Sequence, residues 1–297
     1  MTPYFLLSED MNAMKVQRKR KFEKSGICNL CLSQGDLTKD HVPPKSSVKK
    51  PKGKVQSQRE STKAKVKKQR MNESSFFLRL TGNSRKLQPR FLQDGIYYQT
   101  LCGDCNNLLG SRYDDCLVDF SKSVRRVIEA KRIINFDTCR FRTQPARLVR
   151  AILGHLFAAK ETNDDGRISE NVLDPKIRDF LLDESATLPE EVHIFYWIHR
   201  AEEITLVRDF LMSVDQDFVF CWGILRYSPV AYIVCNSNRL EGLSELTLYR
   251  SLGIDDTATI PVQVNQKMSP NWPEDEDKYK PILLGKDAIN GIYVESA

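Results

Sequence analysis

Hydrophobic residues in the second half of the chain form short, dense runs that are separated by turn residues. Runs rich in Val, Ile, Phe, Tyr and Trp predict β-strands at 192–197, 204–211, 218–225, 230–235 and 260–264. Turn sequences such as Tyr227-Ser228-Pro229 lie between them. We therefore expect antiparallel strands in this half of the protein.

Upstream of these strands, apolar positions recur every three or four residues, which predicts helices. The recurrence runs from Leu108 to Ile128, and it returns over 145–157 and 175–182. Thr143 is the expected N-cap of the helix that starts near 145, with Pro145 in its first turn. A charged stretch at 8–24 predicts a further helix at the start of the chain. Helices and strands together indicate the α+β class.

Two shorter β-type runs precede the first helical stretch. The run 37–42 is stopped by Pro43-Pro44, and the run 96–101 is opened by the turn pair Asp94-Gly95. The second run leads directly into the helical pattern. This part of the chain is therefore predicted as two strands followed by a helix.

Eight cysteines occur in a chain whose start does not resemble an export signal, so disulfides are not expected. Four of them form two Cys-x-x-Cys pairs, Cys28 with Cys31 and Cys102 with Cys105, and 71 residues separate Cys31 from Cys102. Each pair supplies half of a tetrahedral zinc site. The two pairs predict one structural Zn²⁺ site with the intervening chain looped out; the alternative is two unrelated pairs.

Composition narrows the class of protein further. The 297 residues are 41% hydrophobic and 9% aromatic, which is enough for a core and excludes a wholly disordered chain. No apolar run approaches the ~20 residues of a membrane span, and Tyr4-Phe5-Leu6-Leu7 is too short for the core of a signal peptide. We expect a cytoplasmic protein without a membrane partner.

Positive charge is concentrated between Val42 and Arg90. This stretch has fifteen Lys or Arg against Glu60 and Glu73, a net +13, so the rest of the chain carries about −7 of the total of +6. A basic block on an acidic body is typical of proteins with a polyanionic partner. The alternative is a solvated loop without a role. The candidate phosphate-binding residues are Lys49, Lys50, Lys52, Lys54, Lys63, Lys65, Lys67, Lys68 and Arg70.

Asp40 and His41 precede the two prolines, and Asn106 directly follows Cys105. If the cysteines join these segments, a carboxylate, an imidazole and a carboxamide converge. Carboxylate and amide oxygens suit Mg²⁺ or Mn²⁺, and a histidine can take a proton from water, so the set suits phosphodiester hydrolysis. Because neighbouring strand residues face opposite sides, we expect Pro43-Pro44 to twist the strand here.

Taken together, these motifs resemble the HNH endonucleases over about 45 residues in two blocks. They are Cys28-Asn29-Leu30-Cys31, Asp40-His41-Val42-Pro43-Pro44, and the segment from Leu101 to Asp114. The resemblance implies a treble-clef-like, zinc-bound ββα-metal nuclease module. It further implies His41 as the general base, Asp40 and Asn106 as ligands of the catalytic metal, and a supporting role for Asp114.

The sequence departs from the family pattern in two ways. Many members carry an Asn a few residues before the third cysteine, where this chain has Tyr97-Tyr98-Gln99. That Asn tethers the hairpin loop, so we expect the tether to come from Asn83 or Gln99. The second departure is an insertion of about sixty residues between His41 and Cys102.

These observations predict a charged helical lead at 1–27, a nuclease module at 28–135 with a basic insertion at about 45–90, and a C-terminal α+β domain at 136–297. The predicted function is metal-dependent hydrolysis of DNA, with RNA left open as a substrate. The resemblance implies a prokaryotic defence or mobile-element context. The alternative is a catalytically inactive, zinc-stabilised nucleic-acid-binding protein. The C-terminal domain is a candidate surface for a homodimer or a regulatory partner.

Overall fold

A computed structural model describes residues 25–42, 44, 96–130, 137–160, 170–200, 205–214, 217–265, 268, 272–273 and 281–283. It confirms a mixed α+β fold with antiparallel sheets. In chain order the elements are β1 (Ser25–Ile27), β2 (Gln34–Val42), β3 (Ile96–Cys102), α1 (Gly103–Arg112), α2 (Asp114–Ala130), β4 (Thr138–Thr143), α3 (Pro145–Ala158), α4 (Asp174–Leu182), β5 (His193–Ile198), β6 (Thr205–Val214), β7 (Asp217–Tyr227), β8 (Val230–Cys235), β9 (Ser244–Glu245), a 3₁₀ turn (Thr247–Tyr249), β10 (Ala258–Gln263) and β11 (Pro281–Leu283).

The first sheet is antiparallel with the order β1-β2-β3. Strands β2 and β3 confirm the two β-type runs, and β2 begins three residues before the predicted start, at Gln34. The turn between β1 and β2 contains the first cysteine pair, and Leu32 adopts a φ of 61° there. Helix α1 follows β3 without a gap, so two strands lead directly into a helix.

The long helical pattern after Cys105 forms two helices instead of one. They break at Tyr113, which is fully buried and whose N–H donates to the carbonyl of Leu109. The predicted N-cap of α3 was wrong: Thr143 ends β4, where it pairs with Ala258, and Gln144 takes the cap position. Strand pairing with β10 extends through Thr143, so the next residue, Gln144, is the N-cap.

Helix α3 lies at the centre of the fold, and thirteen of its fourteen residues are buried. A helix that is buried all round needs close neighbours on every side. Gly154 provides one such approach, because a Cβ there would lie 2.8 Å from Cδ2 of Leu109 on α1. Helix α3 therefore packs tightly against the first sheet and its helix as well as against the second half of the chain.

The second half confirms the predicted β-runs, with ends that differ by at most three residues. Six strands pair in the order β11-β6-β7-β8-β5-β9, and β10 pairs with β4 in a separate ribbon. Both faces of the six-stranded sheet are covered. Ile194 and Tyr196 of β5 join the cluster around α3, whereas Phe195 and Trp197 join a second cluster with Trp272. Coverage on both faces explains why β8 reads as a continuous apolar run.

A buried ion cluster joins α3 to the large sheet. The side chains of Asp174, Lys160 and Arg208 have no exposed surface. Asp174 accepts a hydrogen bond from the indole N–H of Trp222 at 2.7 Å. It also forms ion pairs with Lys160 and, at 3.4 Å, with Arg208. Burial opposes ionisation of Asp174, but Arg208 and Lys160 outweigh it and hold its pKa below the usual value. The opposite charges of Asp174 and its two cationic partners make buried charge tolerable here.

No helix in the described part of the chain is both long enough and apolar enough to cross a membrane. The predicted lead helix at 8–24 and the basic insertion beyond Pro44 lie outside the described residues. The predicted domain boundary near 135 stays a prediction. Residues from both sides of it, such as Leu117 and Ile152, belong to one hydrophobic cluster.

Candidate functional site

The four cysteines of the two Cys-x-x-Cys pairs come together in one cluster. Their sulfur atoms all lie within 4.8 Å of one another, and Sγ of Cys31 lies 3.7 Å from Sγ of Cys102. A regular tetrahedron with Zn–S bonds of about 2.3 Å has S···S edges of about 3.8 Å. The cluster could therefore hold a metal ion such as zinc, and the alternative of two unrelated pairs is wrong. Among the described residues it is the only such group of three or more His, Cys, Asp or Glu side chains.

Backbone hydrogen bonds shape the turn that contains Cys28 and Cys31. The N–H of Leu32 donates to the carbonyl of Cys28 at 2.9 Å, which closes the turn. The N–H of Cys102 donates to Sγ of Cys28 at 3.3 Å. A hydrogen bond from Cys105, together with such backbone donors, outweighs burial and lowers the pKa of the Cys28 thiol to about 4. The same contact raises the pKa of the Cys105 thiol, and burial raises the pKa of the Cys102 thiol, so the thiolate form is favoured at Cys28 and disfavoured at these two partners.

Asn29, inside the first Cys-x-x-Cys turn, fastens this turn to α3. It is fully buried, and its amide donates to the carbonyls of Phe157 at 3.1 Å and Lys160 at 2.7 Å. Thr100 of β3 donates to the carbonyl of Ala158 at 2.6 Å. Carbonyls at a helix C-terminus have no partner within the helix. Side chains around the cysteine cluster therefore cap α3.

The pairing of β2 with β3 slips by one residue between Thr38 and Asp40, where Gln99 and Thr100 together oppose Lys39. A bulge of this kind increases the local twist. The bulge lies before Asp40, whereas residues Asp40 to Val42 pair in regular register with β3, so the strand pairing shows no distortion between Asp40 and His41. Pro43 itself lies outside the described residues. Gln99, one of the two candidate tethers, donates to the carbonyl of Leu37 at 3.0 Å and so joins β3 to β2; the loop that it is expected to tether lies outside the described residues. Asn83, the other candidate, lies outside the described residues.

Asn106 on α1 lies against this bulge. Its amide nitrogen donates to Oγ1 of Thr38 at 3.0 Å and to the carbonyl of Lys39 at 3.1 Å. Both amide hydrogens thus face β2, next to Asp40. The side-chain oxygen of Asn106 is the atom that could bind a cation. Asn106 therefore contacts the two residues of β2 that directly precede Asp40.

Asp40 points into the protein and meets a residue that the sequence did not assign to the site. Its Oδ2 lies 3.3 Å from Nδ1 of His155 on α3, and the side chain of Asp40 is only 6% exposed. Nε2 of His155 lies 3.3 Å from Oδ1 of Asp114, at the start of α2. Burial disfavours the charged imidazole, but Asp114 and Asp40 outweigh it and raise the pKa of His155 to about 10. His155 is therefore positively charged between two carboxylates at neutral pH.

His41 follows Asp40 on β2, pairs with Tyr97 of β3 and is half-buried. The candidate phosphate-binding residues from Lys49 to Arg70 lie outside the described residues, so their role stays a prediction.

Two residues of this region could not be found from sequence patterns alone. His155 is a lone histidine on an apolar helix, which predicts a core residue, and its burial fits that interpretation. Its two carboxylate partners lie 115 and 41 positions away in the chain, so no local spacing signals them. Asn29 gave no signal either, beyond its position between two cysteines.

No family model, curated protein or solved structure matches this chain. Its function therefore has to be inferred from the residues of the site. Those residues offer a thiolate cluster suited to a structural metal and, beside it, one carboxylate, one carboxamide and two histidines. The oxygens of Asp40 and Asn106 are of the kind that divalent cations prefer, and a neutral histidine is the kind of group that accepts a proton.

Proposed function

We propose that this protein is a metal-dependent endonuclease of the HNH type that hydrolyses phosphodiester bonds in DNA. The observation that carries the proposal is the hydrogen bond from Asn106 on α1 to the carbonyl of Lys39, next to Asp40 and His41 on β2. It joins the helix to the strand at the point where an HNH site needs a carboxylate, an imidazole and a carboxamide together.

Zinc in the cysteine cluster is the structural part of the proposal. The four sulfurs lie within 4.8 Å of one another, close enough to ligate one ion, and four thiolates complete a tetrahedral zinc site without a further ligand. The cluster lies at the junction of β1, β2, β3 and α1. A metal bound there would hold the hairpin and the helix in register and so keep Asn106 against β2.

Asp40 and Asn106 are the residues that would hold the catalytic Mg²⁺ or Mn²⁺. One carboxylate and one amide oxygen fit an ion that keeps most of its ligands as water and phosphate. When bound, the ion supplies Lewis-acid stabilisation of the charge that develops on the scissile phosphate. Because the amide nitrogen of Asn106 is tied to β2, its oxygen is held in one orientation.

His41 is the proposed general base. Its imidazole would take a proton from the attacking water, which a neutral histidine can do near pH 7. The bulge just before Asp40 increases the local twist of β2, and the proposal requires His41 to reach the cation-bound water from its position next to Asp40. The basic segment with Lys49 and its neighbours would contact DNA phosphates beside the site without reading sequence. One such site cuts one strand at a time.

A second candidate function is a nucleic-acid-binding protein in which the zinc cluster is kept and the catalytic site is inactive. The burial of Asp40 favours it, because a carboxylate that is 6% exposed and bound to His155 is less accessible to a hydrated cation. Such a protein would bind DNA with a steep salt dependence and give no product.

The test is nicking of supercoiled plasmid by the full chain with Mg²⁺ or Mn²⁺. We expect His41→Ala to lower the rate by about 10²–10⁴-fold, the contribution of a general base, while zinc content stays at one per chain. His193→Ala is the matched control, because this half-buried histidine pairs with Glu245 on the large sheet.

Cleavage by His41→Ala at the wild-type rate would remove the proposed base. DNA binding without product under any divalent ion would favour the inactive protein. Loss of zinc in His41→Ala, but not in the control, would mean that the residue acts through the fold.

A further inference from the structure

His155 connects three elements that are far apart in the sequence. It lies on α3, hydrogen-bonds Asp40 on β2 through Nδ1, and forms an ion pair with Asp114 on α2 through Nε2. The side chain of His155 is 3% exposed and that of Asp114 is 13% exposed. The contact with Asp40 lies within the β-strand that carries the proposed catalytic residues, whereas His155 itself comes from outside the region that resembles the HNH family.

The two contacts of His155 are not equivalent. The one to Asp40 has the distance and alignment of a hydrogen bond. The one to Asp114 has an ion-pair distance, but Nε2 makes no aligned hydrogen bond. Directional control is therefore applied to Asp40, while Asp114 contributes charge on the far side of the ring.

A carboxylate that ligates a metal needs its orientation fixed. When one of its oxygens is held by a hydrogen bond, the group cannot rotate, and its remaining acceptor positions keep one direction. Outer contacts of this kind are worth about 10–100-fold in metal affinity or activity. Nδ1 of His155 is the group that holds Oδ2 of Asp40 in this structure.

We propose that His155 is a positioning residue for the divalent-cation site: it fixes the carboxylate of Asp40 for the cation, and Asp114 holds the ring from the opposite side. This inference rests on the proposed function. Its consequence is that the site is incomplete within β2, β3 and α1, because α3 supplies the residue that orients its carboxylate.

The experiment measures Mn²⁺ affinity of the zinc-loaded full chain from the EPR signal of free Mn²⁺, with bound zinc and thermal unfolding recorded for each variant. Asn places an amide nitrogen near the position of Nδ1, and Gln places one near Nε2. We expect His155→Asn to keep the Kd for Mn²⁺ within about threefold of wild type and His155→Gln to raise it about 10–100-fold.

Two further variants complete the design. His193→Gln is the matched control, because Nδ1 of His193 also contacts a carboxylate, Glu245 at 2.8 Å, on the large sheet; its Kd should equal that of wild type. Asp114→Asn leaves α3 unchanged and should raise the Kd about 10-fold, the lower end of the range expected for His155→Gln. If substitutions of His155 prevent folding, Asp114→Asn still tests the positioning role, because it changes α2 and not α3.

Equal Kd values for wild type, His155→Gln and Asp114→Asn would overturn the positioning role. So would equal weakening by His155→Asn and His155→Gln, which is the result expected of a merely structural histidine.

The variant Asp40→Asn distinguishes failure of the positioning role from failure of the proposed metal site. If Asp40→Asn abolishes Mn²⁺ binding and His155→Gln does not weaken it, only the positioning role fails; if wild type binds no Mn²⁺, the proposed metal site fails and the positioning role with it.

Discussion

Single side chains connect the cysteine cluster to the rest of the protein, and Asn29 is the clearest case. It is fully buried inside the first Cys-x-x-Cys turn and donates to two carbonyls at the end of α3. The spacing of the cysteines predicts their convergence, because each turn is local and the metal chemistry demands four ligands. The spacing does not predict the hydrogen bonds of Asn29, because their acceptors lie 128 and 131 residues away in the chain.

Replacing Asn29 by Ala should lower the free energy of unfolding by about 1–3 kcal/mol, because two buried carbonyls lose their donor. Urea unfolding of the zinc-loaded protein measures this. Asn107→Ala is the matched control on α1, since Asn107 is exposed and should change stability by less than about 0.5 kcal/mol. An Asn29→Ala protein as stable as the control would show that water replaces the lost bonds.

At the scale of elements, α3 carries the largest share of the packing. Its apolar periodicity predicted a helix, and its continuous burial shows that it has neighbours on all sides. The sequence did not indicate that α1 is one of them. The close approach at Gly154 reveals it, because only a residue without a Cβ leaves room for Leu109.

Gly154→Ala and Gly110→Ala should therefore change stability in opposite directions. Both glycines lie in helices, where alanine is favoured by about 1 kcal/mol. At Gly154 the new methyl would lie 2.8 Å from buried Leu109, and overpacking of about 1–3 kcal/mol should leave a net loss. At exposed Gly110 the nearest atom is 3.8 Å away, so we expect a gain of about 0.5–1 kcal/mol. Urea unfolding distinguishes the two, and a gain at both sites would contradict the close packing of α1 on α3.

At the scale of the whole molecule, one hydrophobic cluster extends from Cys28 and Leu101 through α3 to Tyr232 and Val264. Residues as far apart in the chain as Cys28 and Val264 therefore share a core. Zinc binding to such a cluster contributes folding free energy of order 10 kcal/mol, which is comparable with the total stability of an ordinary domain. Loss of the metal should therefore lower the stability of regions far from the cysteines.

Removing zinc should destabilise the large sheet together with the cysteine cluster. All three tryptophans, at 197, 222 and 272, belong to the part of the molecule beyond α4. Their fluorescence reports the unfolding of that part. We expect chelation of zinc, or Cys28→Ser, to shift this thermal transition to lower temperature in a single step. Cys116→Ser, outside the cluster, is the control; an unshifted tryptophan transition after loss of zinc would mean that the two parts unfold independently.

The sequence by itself determined the α+β class, most strand and helix positions and the four cysteines of the cluster. These features depend on local periodicity or on the residue types that a metal requires, and both can be recognised within short segments of the sequence. Only the tertiary structure decided that α3 is central, that Gln99 ties the hairpin, and that His155 holds Asp40. Each of these depends on contacts between residues far apart in sequence, and such contacts are set by how whole elements pack and not by any local pattern.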